Sequence, residues 1–317
     1  MRSVFLLAGT QAELAAIPVH RRVPDWMQVV GERDAERLEQ QVGLLQELHN
    51  KAKPGTIAAA DIAVSLANLE LGLARGPRAL EWLERAALAY EEAGQPARAV
   101  DARRRRALAM QQYGWIDEAR AELDQARQLA RDSASTVELV MVLLVDAEIL
   151  TDGGEVDSAL ALLVDEAKPQ AEATGDELLL AEVWGRVGDI LDLRGELDEA
   201  LKIRQERELP VYQRLGDLRS EAVTWGQIGD IVEARGELDE ALAIWTQQVL
   251  PAYERLGARR DLVPRRTKVA MAYSTRNASG DRERAAELLR LALADAERMH
   301  MPEADEIRRH MTSIGIS

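Results

Sequence analysis

The feature that most constrains this chain is an internal repeat with a period of 41 residues. One copy runs from Trp184 to Gly216 and the next from Trp225 to Gly257, and about half of the aligned positions are identical. A repeat of this length cannot cover its own apolar surface, so neighbouring copies must stack on one another. The sequence therefore predicts an elongated array of small units.

Weaker copies extend in both directions. A small residue recurs at steps of about 40 residues, as Ala79, Ala119, Ala159, Ala200, Ala241 and Ala285. A glycine precedes each of them, as Gly76, Gly114, Gly154, Gly195, Gly236 and Gly280. We expect each glycine to end a helix with a positive φ angle. We also expect Asp157, Asp198 and Asp239 to cap the helix that follows. The units are thus predicted to be helix–turn–helix hairpins.

Apolar residues recur at helical spacing in both halves of each unit, which predicts an all-α fold. Gly188 and Gly229 are small at a position where one helix must pass close to another. Pro210 and Pro251 lie in the middle of the second helical pattern. Since the apolar period continues through them, we predict a kinked helix, the alternative being that the helix stops there and a short new one begins.

The spacing of Trp184, Val187, Gly188 and Ala200 resembles that of the tetratricopeptide repeat. The resemblance covers roughly residues 56–300 and is strongest in the two central copies. It weakens in the outer copies, where other residues replace the tryptophan. It implies a right-handed superhelical solenoid of about six helix-turn-helix repeats with capping helices. The long unit is similar to those of kinesin light chains and of sensor domains in bacterial signal-transduction ATPases.

Three segments are expected from this pattern. Residues 1–55 are predicted to be an irregular N-terminal segment followed by a capping helix over 33–50. Residues 56–300 form the repeat array. Residues 301–317 are predicted to hold a C-terminal capping helix with Ile307 and Met311 turned inward.

Composition excludes several classes of function. The formal charge of −15 disfavours binding to nucleic acid or to an anionic membrane surface. The absence of cysteine removes disulfides and thiolate metal sites, and fits a cytoplasmic protein. No apolar run is long enough to span a bilayer, and the faintly signal-like start has no convincing cleavage site.

Catalytic, metal and cofactor motifs are not found in the sequence. The four histidines have no partners at metal-ligand spacing, and no phosphate-binding loop or nucleophile elbow is present. The most basic run is Arg103–Arg106. We interpret it as a solvated helix face with local partners such as Asp101 for Arg105, the alternative being a contact with an anion or an acidic partner.

The resemblance also implies a binding surface. In similar proteins the first helix of each hairpin lines a concave groove, and its exposed positions contact the partner. The corresponding residues of the two central copies are Glu182, Arg186, Asp189, Asp192, Gln227, Asp230 and Glu233. Matching upstream positions include Met141, Glu148 and Asn68. Asp189 and Asp230 should stack as an acidic row that either takes a basic segment or holds the neighbouring hairpin through hydrogen bonds.

Three hypotheses follow. The favoured one is a non-catalytic scaffold that binds a protein or peptide partner of basic character, with self-association left open. The second is the sensor or regulatory portion of a larger signal-transduction or defence ATPase system. The third is an enzyme that uses repeat carboxylates, and it suffers from the lack of a nucleophile and base constellation.

Overall fold

The computed structural model describes residues 32–315, which are helical and contain no strand in that range. The chain divides into two units, the first ending at Gly175 and the second beginning at Asp176. Within each unit the helices form antiparallel hairpins that pack on their neighbours. The predicted all-helical repeat architecture is confirmed, with six hairpins over the described residues.

In the first unit, the described residues begin with helix α1, Glu32–Lys51, and continue with three hairpins. Hairpin 1 consists of α2, Ile57–Gly72, and α3, Gly76–Glu92. Hairpin 2 consists of α4, Pro96–Gln112, and α5, Ile116–Asp132. In hairpin 3, α6 is Thr136–Asp152, and the second helix is made of α7, Val156–Ala161, the π-helical turn π1, Leu162–Ala167, and α8, Lys168–Thr174.

The second unit contains the other three hairpins. In hairpin 4, α9 is Glu177–Leu193, followed by α10, Leu197–Ile203, π2, Arg204–Glu208, and α11, Leu209–Leu215. In hairpin 5, α12 is Leu218–Ala234, followed by α13, Leu238–Ile244, π3, Trp245–Val249, and α14, Leu250–Arg255. Hairpin 6 pairs α15, Arg259–Arg276, with α16, Asp281–Arg298, and α17, Glu303–Ser313, packs on it.

The glycines between the two helices of a hairpin behave as predicted at four of six positions, where Gly114, Gly154, Gly195 and Gly236 follow the first helix with positive φ angles. Gly280 also has a positive φ angle, but it is the N-cap of α16, and Asn277 ends α15 in the left-handed region instead. The prediction for Gly76 is wrong, because Ala74 takes the positive φ angle there and Gly76 begins α3. The reason is a close contact. The backbone N–H of Gly76 donates to the Tyr113 hydroxyl at 3.0 Å, and a Cβ atom on Gly76 would overlap the tyrosine ring.

The predicted capping role of the three aspartates is also wrong. The N-cap residues of α7, α10 and α13 are Glu155, Glu196 and Glu237, and none makes a side-chain capping bond. Asp157, Asp198 and Asp239 lie inside the first turn instead. There a negative charge still interacts favourably with the positive end of the helix.

The prolines of the second helices do not break them. Pro169, Pro210 and Pro251 each lie two residues after the last residue of a π-helical turn. The backbone stays in the right-handed helical region where each π-turn joins the α-helices on either side. A wider turn before proline relieves the clash of its ring with the preceding carbonyl and tolerates its missing N–H. The second helices of hairpins 3–5 are therefore continuous helices with a π-turn at their centre.

The core of the array lies between stacked helices and is built from small residues and a few large ones. All six predicted alanines, from Ala79 to Ala285, are fully buried. In hairpin 5 the indole of Trp245 is also fully buried and lies against Gly229, where a Cβ atom would be 2.2 Å from the indole nitrogen. The expectation of close helix approach at this glycine is confirmed.

At the ends of the described residues, α1 and α17 pack on the flanking hairpins. Val42 of α1 is buried, as are Ile307 and Met311 of α17, as predicted. The expectation for residues 1–31 lies outside the described residues. The division into segments 1–55, 56–300 and 301–317 stays a prediction.

Candidate functional site

The residues predicted to bind a partner lie on α9 and α12. We call this set the polar strip. Arg186 is exposed, and the other six residues are half-buried: Glu182, Asp189, Asp192, Gln227, Asp230 and Glu233. The upstream positions Asn68, Met141 and Glu148, in hairpins 1 and 3, are half-buried as well.

Asp189 links two hairpins. Its Oδ1 accepts hydrogen bonds from Nη2 of Arg204 at 2.6 Å and from Nε2 of Gln227 at 3.0 Å. Arg204 lies in the second helix of the same hairpin, whereas Gln227 lies on the first helix of the next. The polar strip is therefore hydrogen-bonded across the repeat boundary.

Arg204 contacts the polar strip from inside the protein, and the sequence argument missed it. Its side chain is only 1% exposed, and it also donates to Oε2 of Glu208 at 3.0 Å and to Oε1 of Gln227 at 2.8 Å. One signal could have revealed it. The 41-residue period aligns Arg204 with Leu163 and Trp245, which are core residues, so a charge at this position has to find partners inside the protein.

Glu208 shares this buried environment. It is 5% exposed, and its Oε1 lies 3.1 Å from the hydroxyl of Thr224. Burial raises the pKa of Glu208, although Arg204 and Thr224 act in the opposite direction. The centre of hairpin 4 is thus a buried cluster of ionisable groups that reaches the surface at Asp189.

Asp230 is neutralised from the following hairpin. Its Oδ1 accepts from Nη1 of Arg265 at 2.7 Å and lies 2.8 Å from Nζ of Lys268. Lys268 also pairs with Glu233 at 3.1 Å. Asp189 and Asp230 therefore both make hydrogen bonds to the neighbouring hairpin, which was the second of the two alternatives for these residues. They do not form a row of unpaired carboxylates.

Asp192 differs from the other carboxylates of the polar strip. Its carboxylate makes no hydrogen bond or ion pair with the described residues. Burial raises the pKa of Asp192, and Asp189 and Asp230 add to this effect against the lowering by Arg204. An additional cation near this side chain would therefore be favoured.

The basic run Arg103–Arg106 belongs to the interior of hairpin 2 rather than to a solvated face, which corrects that interpretation. The side chains of the four arginines are 4–18% exposed. Glu122, which is also buried, bridges Arg103 at 2.9 Å and Arg106 at 2.6 Å. The predicted pairing of Arg105 with Asp101 is confirmed at 2.7 Å. Burial acts to raise the pKa of Asp101, but Arg105 and Arg104 outweigh it and the pKa is lowered.

Over residues 32–315, no group of three or more His, Asp or Glu side chains is placed to hold a metal ion. In the same range no helix combines the length and apolar character that crossing a membrane requires. The arrangement offers hydrogen-bonding and charged groups on a helical face, which suits recognition of another molecule.

Neither a protein-family model nor a curated protein matches the sequence. Solved structures do match. A Signal Transduction ATPase with Numerous Domains from Pyrococcus horikoshii, which carries a tetratricopeptide repeat sensor, aligns with a TM-score of 0.59 and 17% identity over 88% of this chain. The chain has a tetratricopeptide-type repeat fold.

Two further structures share the tetratricopeptide-type fold. BtubC (BKLC) from P. vanneervenii has a TM-score of 0.56 and 18% identity, over 71% of this chain and 92% of that chain. NprR in complex with its cognate peptide NprX has a TM-score of 0.51 and 17% identity, over 89% of this chain and 82% of that chain. By contrast, the match to the Pyrococcus ATPase spans only 42% of that protein.

Proposed function

We propose that this protein is a non-catalytic scaffold that holds a segment of a protein partner on the polar strip. The observation that carries the proposal is the hydrogen-bonded connection of Asp189 to Gln227, which joins the first helices of two successive hairpins. A surface made from repeated helices in this way presents side chains at regular spacing, which suits an extended or helical segment.

The partner segment is expected to carry basic residues. The carboxylate of Asp192 makes no ion pair with the described residues, whereas Asp189 and Asp230 are already paired. A lysine or arginine of the partner would therefore pair with Asp192 without displacing an internal cation. The peptide in the NprR complex supports this function, because it shows that a protein of the same fold binds a peptide.

Site-specific photo-crosslinking tests which face binds. A photoreactive amino acid is placed at Arg186, on the polar strip, or at Glu199, which is exposed on the second helix of the same hairpin. We expect the partner to be crosslinked from Arg186 and not from Glu199 in native cells. Crosslinking from Glu199 alone, or equally from both positions, would show that the polar strip is not the binding surface.

A charge reversal at Asp192 then tests whether this carboxylate pairs with a basic residue of the partner. Asp192→Lys should weaken the crosslinked complex at least about tenfold, since it replaces a favourable charge contact with a repulsive one. Glu240→Lys, at an exposed position of α13, is the matched control and should have no effect. The double variant Asp189→Lys with Asp230→Lys is a less specific test. Both carboxylates form ion pairs within the protein, so this variant also removes contacts that do not involve the partner.

A second candidate function is the sensor portion of a larger signal-transduction ATPase system. It is favoured by the match of 88% of this chain to the Pyrococcus protein with a tetratricopeptide repeat sensor. If this candidate is correct, the crosslinked partner is an ATPase whose rate of ATP hydrolysis changes on addition of the chain. A partner without a nucleotide-binding domain would exclude it.

A further inference from the structure

An open cleft lies in the first unit, between the second helix of hairpin 2 and the two helices of hairpin 3. Its volume is about 510 Å³, within the range of about 300–1,000 Å³ that is usual for ligand sites. It is lined by Arg120, Asp124 and Arg127 of α5, Asp146 and Leu150 of α6, Ser158 and Ala161 of α7, and Leu162, Asp165 and Glu166 of π1.

The charges of this cleft are not balanced. Four carboxylates face two guanidinium groups, and both guanidinium groups are already engaged, Arg127 with Asp146 and Arg120 with Glu155. The carboxylates of Asp124 and Asp165 make no hydrogen bond or ion pair with the described residues. The cleft therefore has two exposed carboxylates that lack a cation.

Asp146, at the inner side of the cleft, responds to this excess of negative charge. Burial raises the pKa of Asp146, and Asp124 and Glu166 add to the rise, although Arg127 and Arg120 oppose it. A cation bound in the cleft would offset this repulsion.

The rest of the lining narrows the choice of ligand. Leu150, Ala161 and Leu162 provide an apolar surface on which the stem of an arginine or lysine side chain can pack. The hydroxyl of Ser158, which also lines the cleft, is exposed and can donate a hydrogen bond, so the cleft offers a donor as well as acceptors. A peptide supplies carbonyl acceptors together with a basic side chain, whereas a polyamine supplies donors only.

We propose that this cleft is a second docking site, which takes a basic side chain of a protein segment between Asp124 and Asp165. The site belongs to hairpins 2 and 3 and shares no residue with the polar strip, which lies on α9 and α12. Two of the lining residues, Asp165 and Glu166, lie in the π-helical turn π1. Such turns inside α-helices are frequent at functional sites, which is consistent with a docking role.

The test measures binding of a capped pentapeptide with two arginines to the full chain by isothermal titration calorimetry. The same peptide with citrulline in place of arginine is the neutral probe, and spermidine is the small-cation probe. We expect the arginine peptide to bind, the citrulline peptide to bind at least about tenfold more weakly, and added salt to weaken binding.

Asp124→Asn with Asp165→Asn should lower the affinity for the arginine peptide at least about fivefold. Neither side chain has an internal partner, so the variant is expected to fold, which circular dichroism verifies. Glu118→Gln with Asp132→Asn removes the same charge from exposed positions of α5 outside the cleft and should change the affinity less than about twofold.

Three results would overturn the proposal. The arginine peptide does not bind, or the citrulline peptide binds as tightly, or the two double variants lose affinity equally. Binding of spermidine without binding of the arginine peptide would likewise overturn it, because the site would then recognise a small cation rather than a protein segment.

Discussion

Hairpins 4 and 5 are near copies in sequence, but their centres are chemically different. At the first position of the π-turn, hairpin 4 has Arg204 and hairpin 5 has Trp245, and both side chains are less than 2% exposed. Arg204 is surrounded by Glu208, Asp189 and Gln227. Trp245 is followed four residues later by Val249, which is fully buried. The same backbone thus encloses an ion cluster in one hairpin and an indole in the next.

This difference shows that the backbone of the repeat does not depend on which side chain occupies the first position of the π-turn. The residues common to both hairpins specify the backbone: the buried Ala200 and Ala241, and the glycines at the helix crossing. Taking two charges out of water costs free energy that their attraction only partly repays. The ion cluster of hairpin 4 is therefore better understood as the support that holds Asp189 in the polar strip than as a source of stability.

The largest expected effect comes from breaking the ion cluster. Glu208→Ala removes the buried counter-charge of Arg204, and we expect the free energy of unfolding to fall by about 3 kcal/mol. Urea denaturation followed by circular dichroism measures it. Glu199→Ala, at an exposed position of α10, should change this free energy by less than about 0.5 kcal/mol. If the two variants are equally stable, the cluster is not a buried pair.

The two crossing glycines should respond differently to the same substitution. A Cβ atom at Gly229 would be 2.2 Å from the indole nitrogen of Trp245, whereas one at Gly188 would be 3.4 Å from the guanidinium carbon of Arg204. Gly229→Ala is expected to lower the free energy of unfolding by about 2 kcal/mol through overpacking. Gly188→Ala should be neutral or stabilising by about 0.5 kcal/mol, because alanine favours helix. Equal losses in the two variants would contradict this account of the packing.

Converting one centre into the other should have a smaller effect. Arg204→Trp combined with Glu208→Val gives hairpin 4 the core residues of hairpin 5, and Gly188 leaves space for the ring. We expect the free energy of unfolding to stay within about 1 kcal/mol of the original value. A loss of more than about 2 kcal/mol in the urea denaturation would show that the ion cluster is needed for folding.

The smallest effect is a dependence on pH. The pKa of Glu208 is raised from its ordinary value of 4.5 by burial, so the folded state binds this proton more tightly than the unfolded state. Its contribution to stability is fully present below about pH 4.5 and is lost as the pH rises through the folded pKa. The free energy of unfolding, taken relative to Glu208→Gln, should therefore fall as the pH is raised above about 4.5. A difference that rises with pH would contradict the raised pKa.

The sequence predicted the helical repeats well because their signal is local and periodic. Helix ends marked by Gly195 and Gly236, and core positions such as Ala200, could be assigned from spacing alone. The error at Gly76 has a tertiary cause, since its neighbour Tyr113 lies 37 residues further along the chain. The role of Arg103–Arg106 was misjudged for the same reason. Glu122, which bridges two of these arginines, belongs to the other helix of the hairpin.

The candidate site could be predicted only as a set of positions. The period placed Asp189 and Asp230 one repeat apart on the first helices, but it carried no information on which cations reach them. Arg204 approaches Asp189 from the second helix of the same hairpin, whereas Lys268 approaches Asp230 from the next hairpin. Because Arg204 and Lys268 pair with these two aspartates, the carboxylate of Asp192 is left without an ion pair.

By itself, the sequence determined that the chain is a stack of helical hairpins, because a repeated apolar period and repeated turn glycines impose the same local structure in each copy. Only the tertiary structure decided which charges are buried, which are paired and where a cleft opens. Such properties depend on side chains that meet across helices, and the periodic pattern that specifies the helices is the same whether an arginine or a tryptophan stands between them.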